Sequence, residues 1–170
     1  MPSLHRTIRG HIVYTSRKPG REGHPWIFRS EIRNAPRATG WVRLPQGDLA
    51  YFRTGATLAA RIMPGLRDPD ELVDWAREKI RIAAEKRSAG TSARLFHGEA
   101  DGISGLVIDR YLTAQGATVL VVQLQNASAE LLRPHLMELV DPNARAVILR
   151  LDSRSRAKDG LASGGVEILK

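Results

Sequence analysis

Two groups of side chains in this 170-residue sequence have types and spacings that suit chemistry or binding. The first is His97, Glu99 and Asp101, which alternate along the chain and would share one face of a β-strand. Imidazole and carboxylate groups are metal ligands, so this spacing is compatible with a metal site. Asp101-Gly102 is also an ordinary hairpin turn, and Glu99 can cap or pair with a nearby arginine. We favour the structural interpretation and predict no metal ligand and no catalytic residue.

The second group is a basic loop followed by aromatic residues. Guanidinium and ammonium groups bind phosphate oxygens, and exposed aromatic rings stack on bases. In an alternative interpretation, Trp26 and Phe28 point into the core and only the charges of the loop remain for binding. We predict six RNA-binding residues, which are Arg17, Lys18, Arg21, His24, Trp26 and Arg29.

The charge of the chain is divided very unevenly. The first 61 residues contain eleven Lys and Arg, ten of them Arg, against three acidic residues, so their net charge is +8. The other residues contain 15 basic and 15 acidic groups and are neutral overall. Such asymmetry favours a polyanionic partner, and the preference for Arg indicates nucleic acid rather than a membrane surface. The sequence has no Cys, which excludes disulfides, thiolate metal sites and cysteine nucleophiles within it.

Hydrophobic periodicity places these groups on two different kinds of structure. Residues 1–66 contain short apolar runs broken by Gly and Pro, which predicts a small β-barrel or a twisted sheet. Asp68 and Pro69 are the start of a helix that is expected to end near Gly90. Beyond it, the pattern predicts a hairpin, a third strand, a helix interrupted by Pro134 and a further strand. The predicted fold class is α+β, with a domain over 67–170 that we expect to be incomplete at its C-terminus.

Four segments of the sequence resemble a known family. They are Gly23–Phe28 (GHPWIF), the helix start Asp68-Pro69-Asp70, Arg94–Tyr111 (RLFHGEADGISGLVIDRY) and Leu149–Gly160 (LRLDSRSRAKDG). Together they are similar to the front half of the class I S-adenosylmethionine-dependent 23S rRNA cytosine-C5 methyltransferases that carry an N-terminal PUA domain. The resemblance implies that residues 1–66 form a PUA-like RNA-binding domain, followed by a small strand-rich α+β domain.

In that family, a third domain binds S-adenosylmethionine and carries a catalytic Cys. This sequence has no Cys and no Gly-rich donor loop after a strand, so we expect a truncated chain that lacks the catalytic domain and has no cofactor of its own. The favoured hypothesis is a module that binds ribosomal RNA. A second is a recognition component that works with a separately encoded methyltransferase domain, and a metal-dependent enzyme is the least favoured.

The sequence also bears on location. No apolar run approaches the length needed to cross a bilayer, and the first residues have no apolar core typical of a signal peptide. We therefore expect no membrane partner and a cytoplasmic protein.

Overall fold

The computed structural model describes residues 7–14, 24–87 and 90–170. The chain divides into two compact units, Met1–Trp75 and Ala76–Lys170. The predicted domain boundary between residues 66 and 67 rests on changes of charge and periodicity, and it stays a prediction.

The first unit is built on a five-stranded sheet. Its strands are β1 (Ile8–His11), β2 (Trp26–Phe28), β3 (Gly40–Arg43), β4 (Leu49–Phe52) and β5 (Leu58–Met63). Their order across the sheet is β1-β3-β4-β5-β2, and β1 runs parallel to β3 while every other pair is antiparallel. A short 3-10 helix, Arg29–Glu31, follows β2.

The two edge strands of this sheet approach each other at one end. Beyond β1, Tyr14 forms an antiparallel bridge with Ile32, which follows β2. The side chain of Asn34 accepts a hydrogen bond from the Val13 N–H (2.6 Å) and donates one to the His11 carbonyl (2.8 Å). In the part of the chain that the structure describes, the sheet nevertheless stays open between β1 and β2. The mixed α+β class is confirmed, but the structure has two five-stranded sheets and no closed barrel in the described ranges.

The core of the first unit determines which side chains of β2 are available. Ile27 is 1% exposed and belongs to the hydrophobic core, whereas Trp26 and Phe28 on either side of it are half-buried.

Burial on both faces explains why the alternation of polar and apolar residues does not reveal β4. Leu49, Ala50 and Phe52 are all buried there, so the strand has no polar face to mark it.

The helix predicted after Asp68 is present. The Asp68 carboxylate accepts a hydrogen bond from the Asp70 N–H (2.9 Å), and a 3-10 turn, Pro69–Glu71, leads into α1 (Leu72–Glu85). The cap is therefore confirmed, since it satisfies an N–H that has no partner within the helix. The helix ends at Glu85, earlier than the stop expected near Gly90.

The second unit contains the other five-stranded sheet. Its strands are β6 (Ala93–His97), β7 (Leu106–Leu112), β8 (Thr118–Leu124), β9 (Ala146–Arg150) and β10 (Val166–Ile168). Their order is β10-β9-β8-β7-β6, and only the β8–β9 pair is parallel among these neighbours.

Short helices connect and follow the parallel pair. Between β8 and β9 lie α2 (Ala127–Glu130), a 3-10 turn (Arg133–His135) and α3 (Leu136–Leu139). Pro134 sits in the 3-10 turn, so the interruption that it predicts is confirmed. After β9, α4 (Arg154–Lys158) occupies a segment that the sequence only marks as polar and Gly-rich.

A buried arginine links α4 to the rest of the second unit. Arg156 is 3% exposed, and its Nη1 donates to the Leu124 carbonyl (2.6 Å) and to Oε2 of Glu130 (2.7 Å). Glu130 also accepts from Arg133 (3.1 Å), which in turn bonds Glu167 of β10 (2.6 Å). Because a buried charge is tolerated only when paired, this chain of contacts fixes the positions of α2, α4 and β10 together.

The start of β7 is joined to the start of α2 through Asn126. This amide is 5% exposed; its Oδ1 accepts from Ser128 (2.7 Å) and from the Ala129 N–H (2.9 Å), and its Nδ2 donates to Ser104 (3.1 Å). Gly105 lies directly against it with a φ of 79°, and a Cβ there would come within 2.3 Å of Nδ2.

Replacement of Gly105 by Ala should therefore destabilise the second unit strongly. Left-handed backbone costs a residue with a Cβ roughly 1–2 kcal/mol, and displacing a buried, bonded amide adds roughly 1–3 kcal/mol. Urea unfolding would measure the loss of stability. Gly116→Ala is the matched control, because Gly116 has a φ of 77° but nothing within 4 Å of its Cβ position. Equal destabilisation by the two variants would contradict the assigned role of the Asn126 contacts.

Candidate nucleic-acid interface

The structure describes half of the predicted contact residues. The three that lie outside the described residues are Arg17, Lys18 and Arg21. The rings of His24 and Trp26 lie together, with centroids 4.9 Å apart and planes inclined by 49°. Arg29 is exposed just beyond β2, and its Nη1 donates to the Ile32 carbonyl at 3.3 Å. The described members of the predicted site therefore lie along one edge strand, with His24 before β2, Trp26 at its start and Arg29 after it.

Trp26 is part of a row of residues that crosses the first sheet. It lies opposite Arg61 of β5, Arg61 lies opposite Tyr51 of β4, and Tyr51 lies opposite Trp41 of β3. Directly paired residues point to the same face of a sheet, so these four side chains form one aromatic row. The rings of Trp41 and Tyr51 meet edge to face, with centroids 5.6 Å apart at 82°.

The aromatic row runs from the interior to the surface. Trp41 is 1% exposed, whereas Tyr51, Arg61 and Trp26 are half-buried. At the outer end, Nδ1 of His24 is buried and has no hydrogen-bond partner among the described residues. The inner end of the row is therefore core, and the outer end at Trp26 and His24 is the part that offers ring surface to a ligand.

Positive charge surrounds the middle of the row. Burial raises the pKa of the Tyr51 hydroxyl above its usual value, and the positive charges of Arg53 and then of Arg9 oppose that rise. Arg53 follows Tyr51 by two residues, directly after the end of β4. Arg9 lies over Gly40, where a Cβ would come within 2.9 Å of its Cγ. The fold thus brings arginines from separate parts of the sequence towards one tyrosine.

The arginines of the first unit differ in whether their side chains form hydrogen bonds within the fold. Arg43 donates from Nη1 to the Gly47 carbonyl (2.9 Å) and from Nη2 to the Arg67 carbonyl (3.0 Å), so it holds a turn in place. Arg33 and Arg37 are exposed, and no hydrogen bond or ion pair engages their side chains within the described residues. These two are available to bind phosphate.

The group formed by His97, Glu99 and Asp101 is engaged within a turn. The Asp101 carboxylate accepts from the His97 N–H (2.6 Å) and from Arg87 (2.7 Å), and Glu99 accepts from Ser104 (2.7 Å). The turn itself is a 3-10 helix, Gly98–Asp101, followed by Gly102 with a φ of 94°, rather than a tight hairpin at residues 100–102. In the described ranges, no group of three or more His, Cys, Asp or Glu is arranged to hold a metal ion.

Sequence reasoning did not select Tyr51, Arg53 or Arg61 as site residues. A signal existed in the Tyr51-x-Arg53 spacing, which predicts two side chains on one face of an extended segment. The pairing of Tyr51 with Arg61 depends on the register between β4 and β5, which periodicity alone does not give.

The chain is similar in sequence to ribosomal RNA large subunit methyltransferases. The ribosomal RNA large subunit methyltransferase I of Shewanella denitrificans is 36% identical over 170 aligned residues, which cover 85% of this chain and 41% of the relative. A ribosomal RNA large subunit methyltransferase of Deinococcus radiodurans is 32% identical and covers 86% of this chain and 40% of its own length. The chain thus spans about two fifths of the length of the curated relatives it matches. No family model matches the sequence.

Two solved structures share the fold. One, described as a methyltransferase and complexed with SAH, superposes with a TM-score of 0.60 at 15% identity and covers 85% of this chain and 40% of its own. The other, described as a SAM-dependent methyltransferase from Streptococcus mutans, has a TM-score of 0.62 at 14% identity, with coverages of 96% and 43%. The expectation that no cofactor goes with this chain is therefore wrong, because the fold occurs in a protein that was solved with SAH bound.

The end of β8 is where a parallel strand–helix–strand unit would place such a ligand, at the carboxyl ends of the strands. In this chain, Asn126 fills that junction with its amide bonded to Ser104 and Ser128, and Gly105 closes against it. The junction does not fit SAM, and we assign no contact with the donor to it.

The burial of Tyr51 predicts that the stability of the protein depends on pH in the alkaline range. Because the pKa of Tyr51 is raised in the folded state, the unfolded chain releases this proton first, at a pH of about 10. The contribution of Tyr51 to stability should be constant below that pH and decline as the pH rises towards the folded pKa. In an absorbance titration of tyrosinate, Tyr51→Phe should remove the most alkaline part of the curve.

Tyr111→Phe is the control for this titration, because it removes an exposed tyrosine. A Tyr51→Phe curve that loses amplitude only near pH 10, at the ordinary value for tyrosine, would contradict the burial effect.

Proposed function

We propose that this protein recognises large-subunit ribosomal RNA and serves its methylation, with S-adenosylmethionine (SAM) as the methyl donor. The observation that carries this proposal is the similarity to ribosomal RNA large subunit methyltransferases along 85% or more of the chain. The shared fold with methyltransferase structures supports it. A cytoplasmic location belongs to the same proposal, and no helix in the described ranges is long and apolar enough to cross a membrane.

We assign RNA recognition to the first unit as a PUA-like domain. The net charge of +8 within residues 1–61 supports a polyanionic partner. The bridge between Tyr14 and Ile32 supports the PUA-like assignment, because it draws together the two edges that a barrel would join.

Within this unit, some side chains are assigned to phosphate contacts and others to base contacts. The exposed Arg33 and Arg37, with Arg29, hold phosphates, as do the predicted cations Arg17, Lys18 and Arg21. The adjacent rings of His24 and Trp26 contact a base, since every base has a face on which an aromatic ring can stack.

The methyl transfer itself is assigned to groups outside these 170 residues. Methylation of cytosine at C5 in the family that the chain resembles needs a thiolate that attacks the ring, and this sequence has no Cys. SAM supplies the methyl group to that step. We propose that this chain contributes recognition, and that a methyltransferase portion, joined to it or separately encoded, contributes the chemistry.

Salt-dependent binding to a fluorescein-labelled transcript of large-subunit ribosomal RNA tests the recognition role. Arg33→Glu with Arg37→Glu should weaken binding about tenfold or more at low salt. The slope of log K against log salt should fall by about 0.9 for each phosphate in duplex regions that the variant no longer binds. Fluorescence anisotropy at several salt concentrations measures both effects.

Lys86→Glu with Lys158→Glu is the matched control, because it changes the net charge equally at two exposed lysines outside the first unit. Equal weakening by both pairs of substitutions would mean that total charge, not a located surface, binds RNA. Binding that ignores salt would sink the proposal.

A further inference from the structure

One face of the second sheet, which we call the open face, carries mostly exposed or half-buried side chains, and Val107 and Asp109 of β7 are its buried members. On β8, the side chains of Leu120, Val122 and Leu124 point to the other face and are 0–1% exposed. Val119 and Val121 alternate with these residues along the strand and are only half-buried, as expected when a sheet is covered mainly on the other side. The helical connection between β8 and β9 contributes the buried leucines Leu132, Leu136 and Leu139.

Strand pairing defines the composition of this open face. Its first row is Tyr111, Val119 and Ala146. Its second row is Arg94, Asp109, Val121, Ile148 and Ile168. Its third row is His97, Val107, Gln123, Arg150 and Val166. The face is therefore a flat surface of β-branched side chains with one large ring and two guanidinium groups.

Tyr111 is the aromatic residue that this face presents to solvent. Its side chain is 51% exposed, although a tyrosine usually buries most of its ring. The hydrogen bond that Arg94 donates to Asp109 is the main cause that raises the pKa of Arg94, and the one that Arg150 donates to Asp152 is the main cause for Arg150. The negative charge of an ionised Tyr111 adds a smaller rise to the pKa of both arginines. Arg94 is the diagonal neighbour of Tyr111 on this face, because it lies opposite Asp109, two residues before Tyr111 on β7.

The two arginines are held with their planes fixed. Arg94 bonds Asp109 through Nε (2.8 Å) and Nη2 (3.2 Å), and Arg150 bonds Asp152 through Nε (3.2 Å) and Nη2 (2.8 Å). Two-pronged bonds of this kind fix the guanidinium group while leaving its flat surface accessible. The side chains of Arg94 and Arg150 remain 47% and 46% exposed.

This combination favours nucleobases over a protein partner or a phosphate chain. Each arginine is neutralised by its own aspartate, so the face attracts phosphate weakly. A protein that covered the face would have to desolvate both ion pairs, which is costly. A base can instead stack on a tyrosine ring or a guanidinium plane and leave the ion pairs in place and hydrated.

We infer that the open face of the second sheet is a stacking platform for unpaired RNA bases, centred on Tyr111 and flanked by Arg94 and Arg150. This inference rests on the proposed function, since it requires RNA as the ligand. The platform would bind unpaired bases, whereas the arginines of the first unit bind phosphates.

The probe is a fluorescein-labelled single-stranded RNA of mixed sequence, about 12 nucleotides long, beside an abasic RNA of equal length. Tyr111→Ala should weaken anisotropy-measured binding to the base-bearing RNA by about 5- to 100-fold, the usual range for removal of one base stack. Binding to the abasic RNA should not change. Tyr111→Phe should bind like the unchanged chain, because the ring is kept.

Met137→Ala is the matched control, since Met137 is 44% exposed on α3 and does not belong to the open face. A second measurement needs no variant: RNA containing 4-thiouridine, irradiated with the unchanged chain, should crosslink to the peptide that contains Tyr111. The absence of that peptide among the crosslinks would overturn the inference.

The outcomes separate this inference from the proposed function. If Tyr111→Ala binds both RNAs as the unchanged chain does while Arg33→Glu with Arg37→Glu still weakens binding, the platform is wrong and the RNA-binding function stands. Equal weakening on base-bearing and abasic RNA also overturns the platform. If Tyr111→Ala instead changes the oligomeric state in light scattering, the face joins two copies of the chain and the platform is wrong. If the unchanged chain binds neither RNA, both proposals fail.

Discussion

The buried amide of Asn126 is the interaction on which the second unit depends. An amide in the interior must satisfy its own donors and acceptor, and Asn126 does so through Ser104, Ser128 and the first turn of α2. Ser104 precedes β7, whereas Ser128 and the turn belong to the helical connection that follows β8. Only a residue without a Cβ fits beside Asn126 at Gly105, so the start of β7 and the start of the helical connection are set by one contact. The open face lies on the strands that this contact aligns.

The sequence predicts those parts of the fold that short-range physics controls. Asp68 caps a helix because its partner N–H is two residues away, and Pro134 breaks one because it lacks an N–H. Strand β4 escapes prediction because both of its faces are buried, and α4 does so because its stability comes from the long-range contacts of Arg156. Neither the burial of both faces of a strand nor a contact between residues distant in sequence can be recognised from a local pattern.

The candidate site shows the same division between local and long-range information. His24 and Trp26 are close in sequence, and their rings are in contact. Tyr51 and Arg61 are brought beside Trp26 only by strand register, which no local pattern specifies. The resemblance of Arg94–Tyr111 to ribosomal RNA methyltransferases agrees with the relatives of the chain. Several polar residues of that segment form the hydrogen bonds of its own turn, as Glu99 does with Ser104 and Asp101 with Arg87.

The pairing of Arg156 with Glu130 has a consequence for how this chain can change over time. The two residues are 26 positions apart, and each neutralises the other where water is largely excluded. Loss of Glu130 alone strands the buried charge of Arg156, whereas Glu130 keeps Arg133 as a partner when Arg156 is lost. Natural variants should therefore keep Glu130 wherever Arg156 is present, so that these positions covary in one direction although no chemistry of the proposed function passes through them.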